Sequence, residues 1–176
     1  MNPNYHIRLA RRDELKRIND IEDAASVLFA DTKYAIEGEL ESLPINFLQQ
    51  QLSEKRLWVA ADAHDTPVGF ALVILLDGNA HLHELSVHPE HGRQGLGTRL
   101  VRQVLSWAQQ GGFPAVTLST FRDIPWNAPF YRKLGFVEMA EAEFGPGLRE
   151  IRQGEADTGL PMDDRLLMIY RFAPDR

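Results

Sequence analysis

Apolar residues recur along this chain in two rhythms. Tyr5–Leu9 alternates weakly and predicts a first strand. Leu15, Ile18, Ile21, Ala25 and Leu28 then fall on one helical face, with Glu22 beside Ile21 and Asp13 as the expected N-cap. Asp31–Lys33 breaks that helix. Ser42-Leu43-Pro44 opens a second, carrying Ile45, Phe47, Leu48 and Leu52, since proline is tolerated in a first turn. Leu57–Asp62 reads as a short strand and His64–Pro67 as a turn. Val68–Leu76 is apolar apart from Gly69, which suits a buried strand. Asp77-Gly78-Asn79 is a hairpin turn, and His81–His88 is the returning strand, ended by Pro89.

The second half changes period. Leu96, Leu100, Val101, Val104, Leu105 and Ala108 form one helical stripe, closed by Gly111-Gly112. Val116–Thr120 is a strand with β-branched content. Asn127 begins a two-turn helix that Gly135 ends, and Phe136–Met139 is a short strand. Phe144–Gly159 is punctuated by glycine, yet Leu148, Ile151 and Glu155 keep helical spacing and predict a short helix. Arg165–Phe172 is the last strand. The order β-α-α-β-β-β-α-β-α-β-(α)-β predicts an α/β (α+β) mixed sheet with helices on both faces. With 176 residues and no linker, repeat or low-complexity tract, the expectation is a single domain over 1–176.

Composition narrows the classes. The longest apolar run is far short of eighteen residues, so no membrane span or membrane partner is expected. The first residues lack the apolar core of a signal peptide, and there are no cysteines. Thiolate nucleophiles and cysteine zinc sites are excluded, and a reducing, cytoplasmic setting is expected. A net charge of −6 argues against nucleic acid as a partner.

The densest chemistry lies in His81–Gly97, HLHELSVHPEHGRQGLG: strand, glycine-spaced turn, helix N-terminus. That arrangement aims backbone N–H groups and a helix dipole at one point, which can hold a phosphate. Three kinds of phosphate site can be compared. A Walker loop needs GKS or GKT, but Gly97 is followed by Thr98-Arg99. A dinucleotide fingerprint needs a third small residue where Leu100 stands, and an acidic residue about twenty positions on, where VTLST ends in threonine. The third is a pyrophosphate cradle for an acyl-coenzyme A.

Here the sequence resembles the GNAT superfamily of acyl-CoA N-acyltransferases. Its signature is Gln or Arg, two residues, Gly, one residue, then Gly or Ala, after a strand. Gly92-Arg93-Gln94-Gly95-Leu96-Gly97 fits all but the first position, where Gly92 stands and Arg93 comes one place late. Asn127-Ala128-Pro129-Phe130-Tyr131-Arg132-Lys133-Leu134-Gly135-Phe136 resembles the family's second block, with a shorter Asn-to-Tyr spacing. The resemblance runs from about Ile7 to Phe172. It implies a sheet splayed between the fourth and fifth strands, with pantetheine entering the splay. It implies acetyl-CoA as cosubstrate, no metal, and homodimers as a common state.

Carried onto this chain, the resemblance implies that Leu85, Ser86 and Val87 offer main-chain groups to pantetheine. Gln94, Gly95, Leu96, Gly97 and Thr98 would cradle the pyrophosphate, with Arg93 as the nearby cation. Tyr131 is the expected general acid, because a phenol can donate to a departing thiolate. Glu84 is the candidate base, with His81 and His83, on the other strand parity, as rivals. The spacing i, i+2, i+3 on a strand does not converge these three on a metal. Asn127 either bonds pantetheine or caps its helix. Glu22, Asp31 and Tyr34 are candidates for binding an amine, Trp126 for lining a pocket, and Trp58 and Trp107 for packing. With no cysteine to carry an acyl group, direct transfer in a ternary complex is expected. The alternative is a non-catalytic acyl-CoA-binding or regulatory module. Net acidity leans the expected acceptor towards a small cationic amine rather than a protein.

Overall fold

The computed structural model describes residues 4–34 and 42–173. Among these described residues there are seven strands: β1 His6–Leu9, β2 Leu57–Ala61, β3 Pro67–Leu76, β4 Asn79–Val87, β5 Ala115–Phe121, β6 Val137–Glu138 and β7 Arg165–Arg171. Five α-helices join them: α1 Leu15–Ser26, α2 Ile45–Ser53, α3 Leu96–Gln110, α4 Ala128–Lys133 and α5 Pro146–Asp157. The strands form one mixed sheet in the order β1-β2-β3-β4-β5-β7-β6. β4 and β5 are parallel, registered at Ala80–Val116 and His81–Thr117. A ladder of two pairs between strands of nine and seven residues is what a splayed sheet requires.

The chain divides into two compact units. One comprises residues 1–73 and 84–104, the other residues 74–83 and 105–176. In the first, β1 lies antiparallel to β2, and β2 to β3. β2 is buried along its whole length, and so is β3 as far as Val73, which is why both read as apolar runs rather than alternations. α1 turns Leu15, Ile18, Ile21 and Ala25 inward and packs on α2. Leu28 departs from the predicted stripe. α1 stops at Ser26, the tighter 3-10 turn Val27–Phe29 follows, and Leu28 is left 44% exposed.

Asp13 is not the cap the pattern predicts. It lies inside a 3-10 turn, Arg12–Glu14, and the position before α1 falls to Glu14, whose side chain does not cap α1 but closes the 3-10 turn, its Oε2 accepting from the Arg11 N–H at 2.7 Å. The same carboxylate receives Arg8 through two nitrogens, at 2.6 and 2.9 Å. Arg8 also donates to Asp65 at 2.7 Å, and Arg11 pairs with Asp65 at 2.6 Å. The Arg8 and Arg11 guanidiniums hold the Asp65 carboxyl well below the usual range.

In the second unit β5 and β7 pair over their full length, from Ala115–Arg171 to Phe121–Arg165. Ala115, Met139, Leu148, Leu167 and Ile169 make one buried cluster, with Leu76 and Phe144 against it. The predicted short helix in Phe144–Gly159 is present as α5, twelve residues long. Its N-terminus is capped from seventy residues away. Asp77, in the hairpin turn between β3 and β4, accepts from the Gly147 N–H at 2.8 Å and the Leu148 N–H at 3.0 Å. Asp77 and Gly78 both hold positive φ, 52° and 77°, the geometry of a two-residue hairpin. Asp77→Ala removes an N-cap and is expected to cost about 1 kcal/mol. Thermal unfolding should fall by roughly 2–4 °C. Asp77→Asn, which keeps an acceptor, should recover most of it.

Candidate active site

The turn between β4 and α3 is built by local geometry. Pro89 ends the strand pairing after the His88 N–H reaches the Val68 carbonyl at 2.8 Å. The 3-10 turn Pro89–His91 follows, capped by the His88 ring, which accepts from the Glu90 N–H at 3.3 Å. Gly92 then passes so close to this turn that a Cβ there would sit 3.0 Å from the Pro89 carbonyl oxygen. Arg93 and Gly95 take positive φ, 58° and 74°, and α3 starts at Leu96.

Arg93, Gln94 and Gly95 are exposed, while Leu96 is buried. A Cβ on Gly95 would meet nothing within 4 Å, so the space over the turn is open. This turn is the form an anion cradle takes, with successive N–H groups at a fifteen-residue helix's positive end. Arg99 ties the helix start down, donating to the Tyr5 carbonyl at 2.8 Å, and the Tyr5 hydroxyl lies 3.0 Å from His91 Nδ1.

In the same unit, two carboxylates interact. Ser86 Oγ donates to Glu84 Oε1 at 2.8 Å, as i, i+2 neighbours on one strand face can. Glu22, on α1, accepts from the Leu43 N–H at 3.0 Å. Burial pushes the Glu22 carboxyl up to about 7, against the Leu43 hydrogen bond and with help from the Glu84 and Asp23 charges. Glu22 is therefore poised to exchange a proton at neutral pH. Its sequence signal was only a charge next to a buried stripe, so its electrostatic link to Glu84 was not legible. Asp31 is exposed, and Tyr34 is buried with Lys33 over its ring at 4.9 Å.

The second unit holds the other sequence-predicted groups. Tyr131 is 8% exposed on α4, its ring edge-on to Phe130 and Phe136 at 5.0 and 5.7 Å. Asn127 precedes α4 but its side chain does not cap it. Its Oδ1 instead accepts from the Thr120 hydroxyl at 2.7 Å and from the Phe121 N–H at 3.4 Å. The capping alternative is thereby corrected. β5 offers a hydroxyl and an N–H at the place where the side chain lies, and the proline at 129 occupies the first turn. Trp58 is core, Trp107 packs on Phe113 at 5.3 Å, and Trp126 is exposed.

His81 and His83 have the opposite strand parity to Glu84. His81 is 2% exposed, with Nδ1 at 2.9 Å from the Thr117 hydroxyl. Burial pushes its imidazole down to about 3 and also lowers that of His83. Both are neutral at pH 7. Among the described residues, no three His, Asp or Glu side chains gather as a metal set, and no helix is long and apolar enough to cross a membrane.

The acetyltransferase (GNAT) family model matches residues 19–136. The chain belongs to the GNAT acetyltransferase family. Among curated proteins it is similar to peptidyl-lysine N-acetyltransferase YjaB of Salmonella typhimurium, 35% identical over 109 residues, 62% of this chain and 66% of that protein. YjaB of Escherichia coli is 35% identical over 105 residues, 60% of this chain and 63% of that protein. The chain thus spans a little under two thirds of the length of these relatives. Two solved structures share the fold across nearly the whole chain. A GNAT-family acetyltransferase from Staphylococcus aureus superposes with a TM-score of 0.72 at 15% identity, covering 96% of this chain and 99% of that one. The PaiA N-acetyltransferase of Thermoplasma acidophilum, in complex with coenzyme A, gives 0.66 at 18% identity, with the same coverage.

Proposed function

We propose that this protein is an N-acetyltransferase that moves acetyl from acetyl-CoA to a primary amine by direct attack. The observation that carries the reading is the open turn from Arg93 to Thr98, with its two left-handed positions leading into α3. Backbone N–H groups of Gln94–Thr98 and the Thr98 hydroxyl would hold the pyrophosphate. Arg93 stands exposed beside them as a cation. Main-chain groups of Leu85, Ser86 and Val87 would bind pantetheine amides, and Asn127 would contact the same arm through the part of its side chain not bonded to Thr120.

Three events make the reaction. The acceptor's ammonium loses a proton, and Glu22, whose carboxyl is pushed up to about 7 chiefly by burial and in part by the Glu84 charge, takes it, with Glu84 as the neighbouring carboxylate. The amine lone pair attacks the thioester carbonyl carbon, forming the C–N bond and breaking the C–S bond. The departing thiolate receives a proton from the Tyr131 hydroxyl, and the second proton that the new amide nitrogen must lose restores that hydroxyl, so that the products are the N-acetyl amine and CoA thiol. The whole chain would act as one catalytic domain in this reading.

Thermal unfolding in parallel with acetyl-CoA, CoA, ATP and NADPH tests it. A ligand at a hundred times its Kd stabilises by about 2.7 kcal/mol, a rise of several degrees. The expected result is a rise with acetyl-CoA and CoA alone, followed by thiol release when amines are added. A rise with ATP or NADPH alone would overturn the reading. A rise with CoA but no thiol release from any amine would favour a non-catalytic binding module.

A further inference from the structure

The turn between β4 and α3 places Arg93 and Gly95 in the left-handed region. Glycine takes that conformation freely, but the Cβ of arginine opposes it. A backbone of this kind persists only where its surroundings hold it. What holds the two ends of residues 92–98 therefore decides whether the N–H groups keep the form that receives an anion.

One residue reaches both ends. On the near side, the Tyr5 hydroxyl lies 3.0 Å from Nδ1 of His91, the last residue of the 3-10 turn, and the two rings meet edge-on at 5.8 Å. A phenol hydroxyl serves either tautomer of that imidazole, donating to a bare Nδ1 or accepting from Nδ1–H. On the far side, the Tyr5 carbonyl accepts from Arg99 Nη2 at 2.8 Å, in the first turn of α3. Arg99 Nη1 is buried with no hydrogen-bond partner among the described residues, so the Tyr5 carbonyl anchors this guanidinium.

Tyr5 is itself held by a rigid element. It directly precedes β1, whose first residue, His6, is registered against Ala61 of β2. Its two contacts cross 86 and 94 positions of chain. They are cross-links made by the fold rather than local turn chemistry. All of these residues belong to the first compact unit.

We propose that Tyr5 is a positioning residue for coenzyme binding, a latch that joins both ends of the 92–98 turn and keeps it in its anion-receiving form. It acts through the turn and not on the ligand. Cutting the latch lowers the fraction of molecules whose turn is ready, and the apparent Kd rises as the inverse of that fraction. This rests on the acetyltransferase reading and adds to it the residue that organises the coenzyme site from the far end of the chain.

The test uses Tyr5→Phe, which removes the hydroxyl but keeps the ring and the carbonyl that Arg99 needs. His91→Phe keeps a ring facing Tyr5 and removes its nitrogens, and the double variant completes the cycle. Three quantities are measured: the Kd for CoA, kcat and KM with acetyl-CoA and with S-acetylpantetheine, and amide hydrogen exchange of residues 92–98 without ligand. Each single variant should raise the CoA Kd and the acetyl-CoA KM about fivefold, the worth of one hydrogen bond, with kcat unchanged. S-acetylpantetheine has no pyrophosphate, so its kcat/KM should not move, whereas a general folding defect would affect both donors alike. Exchange at 92–98 should be faster in both variants. The double variant should be no worse than either single, because both cut the same bond. Unchanged CoA affinity in Tyr5→Phe, equal losses with the two donors, or additive losses in the double variant would each overturn the proposal. If CoA fails to bind the wild type, the acetyltransferase reading falls. Hydrogen exchange then still decides whether Tyr5 holds the turn: faster exchange at 92–98 in Tyr5→Phe upholds the latch, and unchanged exchange overturns it.

Discussion

Replacing Tyr131 by phenylalanine is expected to lower kcat about 10²- to 10⁴-fold, the usual contribution of a positioned acid, while leaving CoA affinity within about twofold. The substitution removes one oxygen. The ring that packs between Phe130 and Phe136 is kept, and so is the Tyr131 carbonyl, which accepts from the Leu134 and Phe136 N–H groups at 3.0 and 3.1 Å. Fold and coenzyme binding should therefore survive. The loss should shrink with an acyl donor whose thiol has a lower pKa, because such a leaving group needs less protonation. Single-turnover rates measured beside the Kd for CoA check both points. A variant with normal kcat would show that Tyr131 only packs.

Removing either member of the carboxylate pair should alter the pH profile as well as the rate. Glu22 has its carboxyl pushed up to about 7, chiefly by burial. The acid limb of kcat/KM should then lie near pH 7, since the base must be ionised. Glu84→Gln deletes a like charge, so the Glu22 carboxyl becomes easier to ionise and any residual activity should have its limb at lower pH. Glu22→Gln should lower kcat/KM by about 10²-fold and abolish that limb. The Leu43 N–H keeps an acceptor in this variant, so the α1 contact is preserved.

The same group predicts stability. A carboxyl whose folded pKa is raised binds protons more tightly folded than unfolded. Its stabilising effect is complete below the unfolded value of 4.5 and is lost as pH rises through about 7. Glu22→Gln should therefore gain on the wild type as pH goes from 5 to 8. His81 acts in the opposite sense. Its folded pKa is depressed, so its contribution is complete above pH 6.5 and is lost as pH falls below that. Thermal scans of the wild type, Glu22→Gln and a His81→Gln variant across this range separate the two arms.

Much of the fold was legible because burial leaves a period in the chain. The Leu96–Ala108 stripe gave α3, and the unbroken apolar run Val68–Leu76 gave a central strand, since both faces of β3 are covered up to Val73. Leu148, Ile151 and Glu155 gave α5 despite its glycines. Local capping was less legible. Asp13 looked like a cap and Asn127 like another, but hydrogen bonds go to whichever acceptor the tertiary fold brings nearest. A 3-10 turn closed by Glu14 absorbed the first, and Thr120 with Phe121 claimed the second.

The candidate site divides in the same way. The sequence by itself determined the order of strands and helices, the turn from Gly92 to Thr98 and the Tyr131 block. Each of these is set by residues close together in the chain, through backbone conformation and amphipathic period. Only the tertiary structure decided that Glu22 lies within electrostatic reach of Glu84, sixty-two residues on, and that Asp77 caps α5. It alone decided that His83, Ser119, Glu155 and Arg165 enclose one cavity. Charge and desolvation act through space, so a proton affinity or a pocket belongs to side chains whose separation along the chain carries no signal.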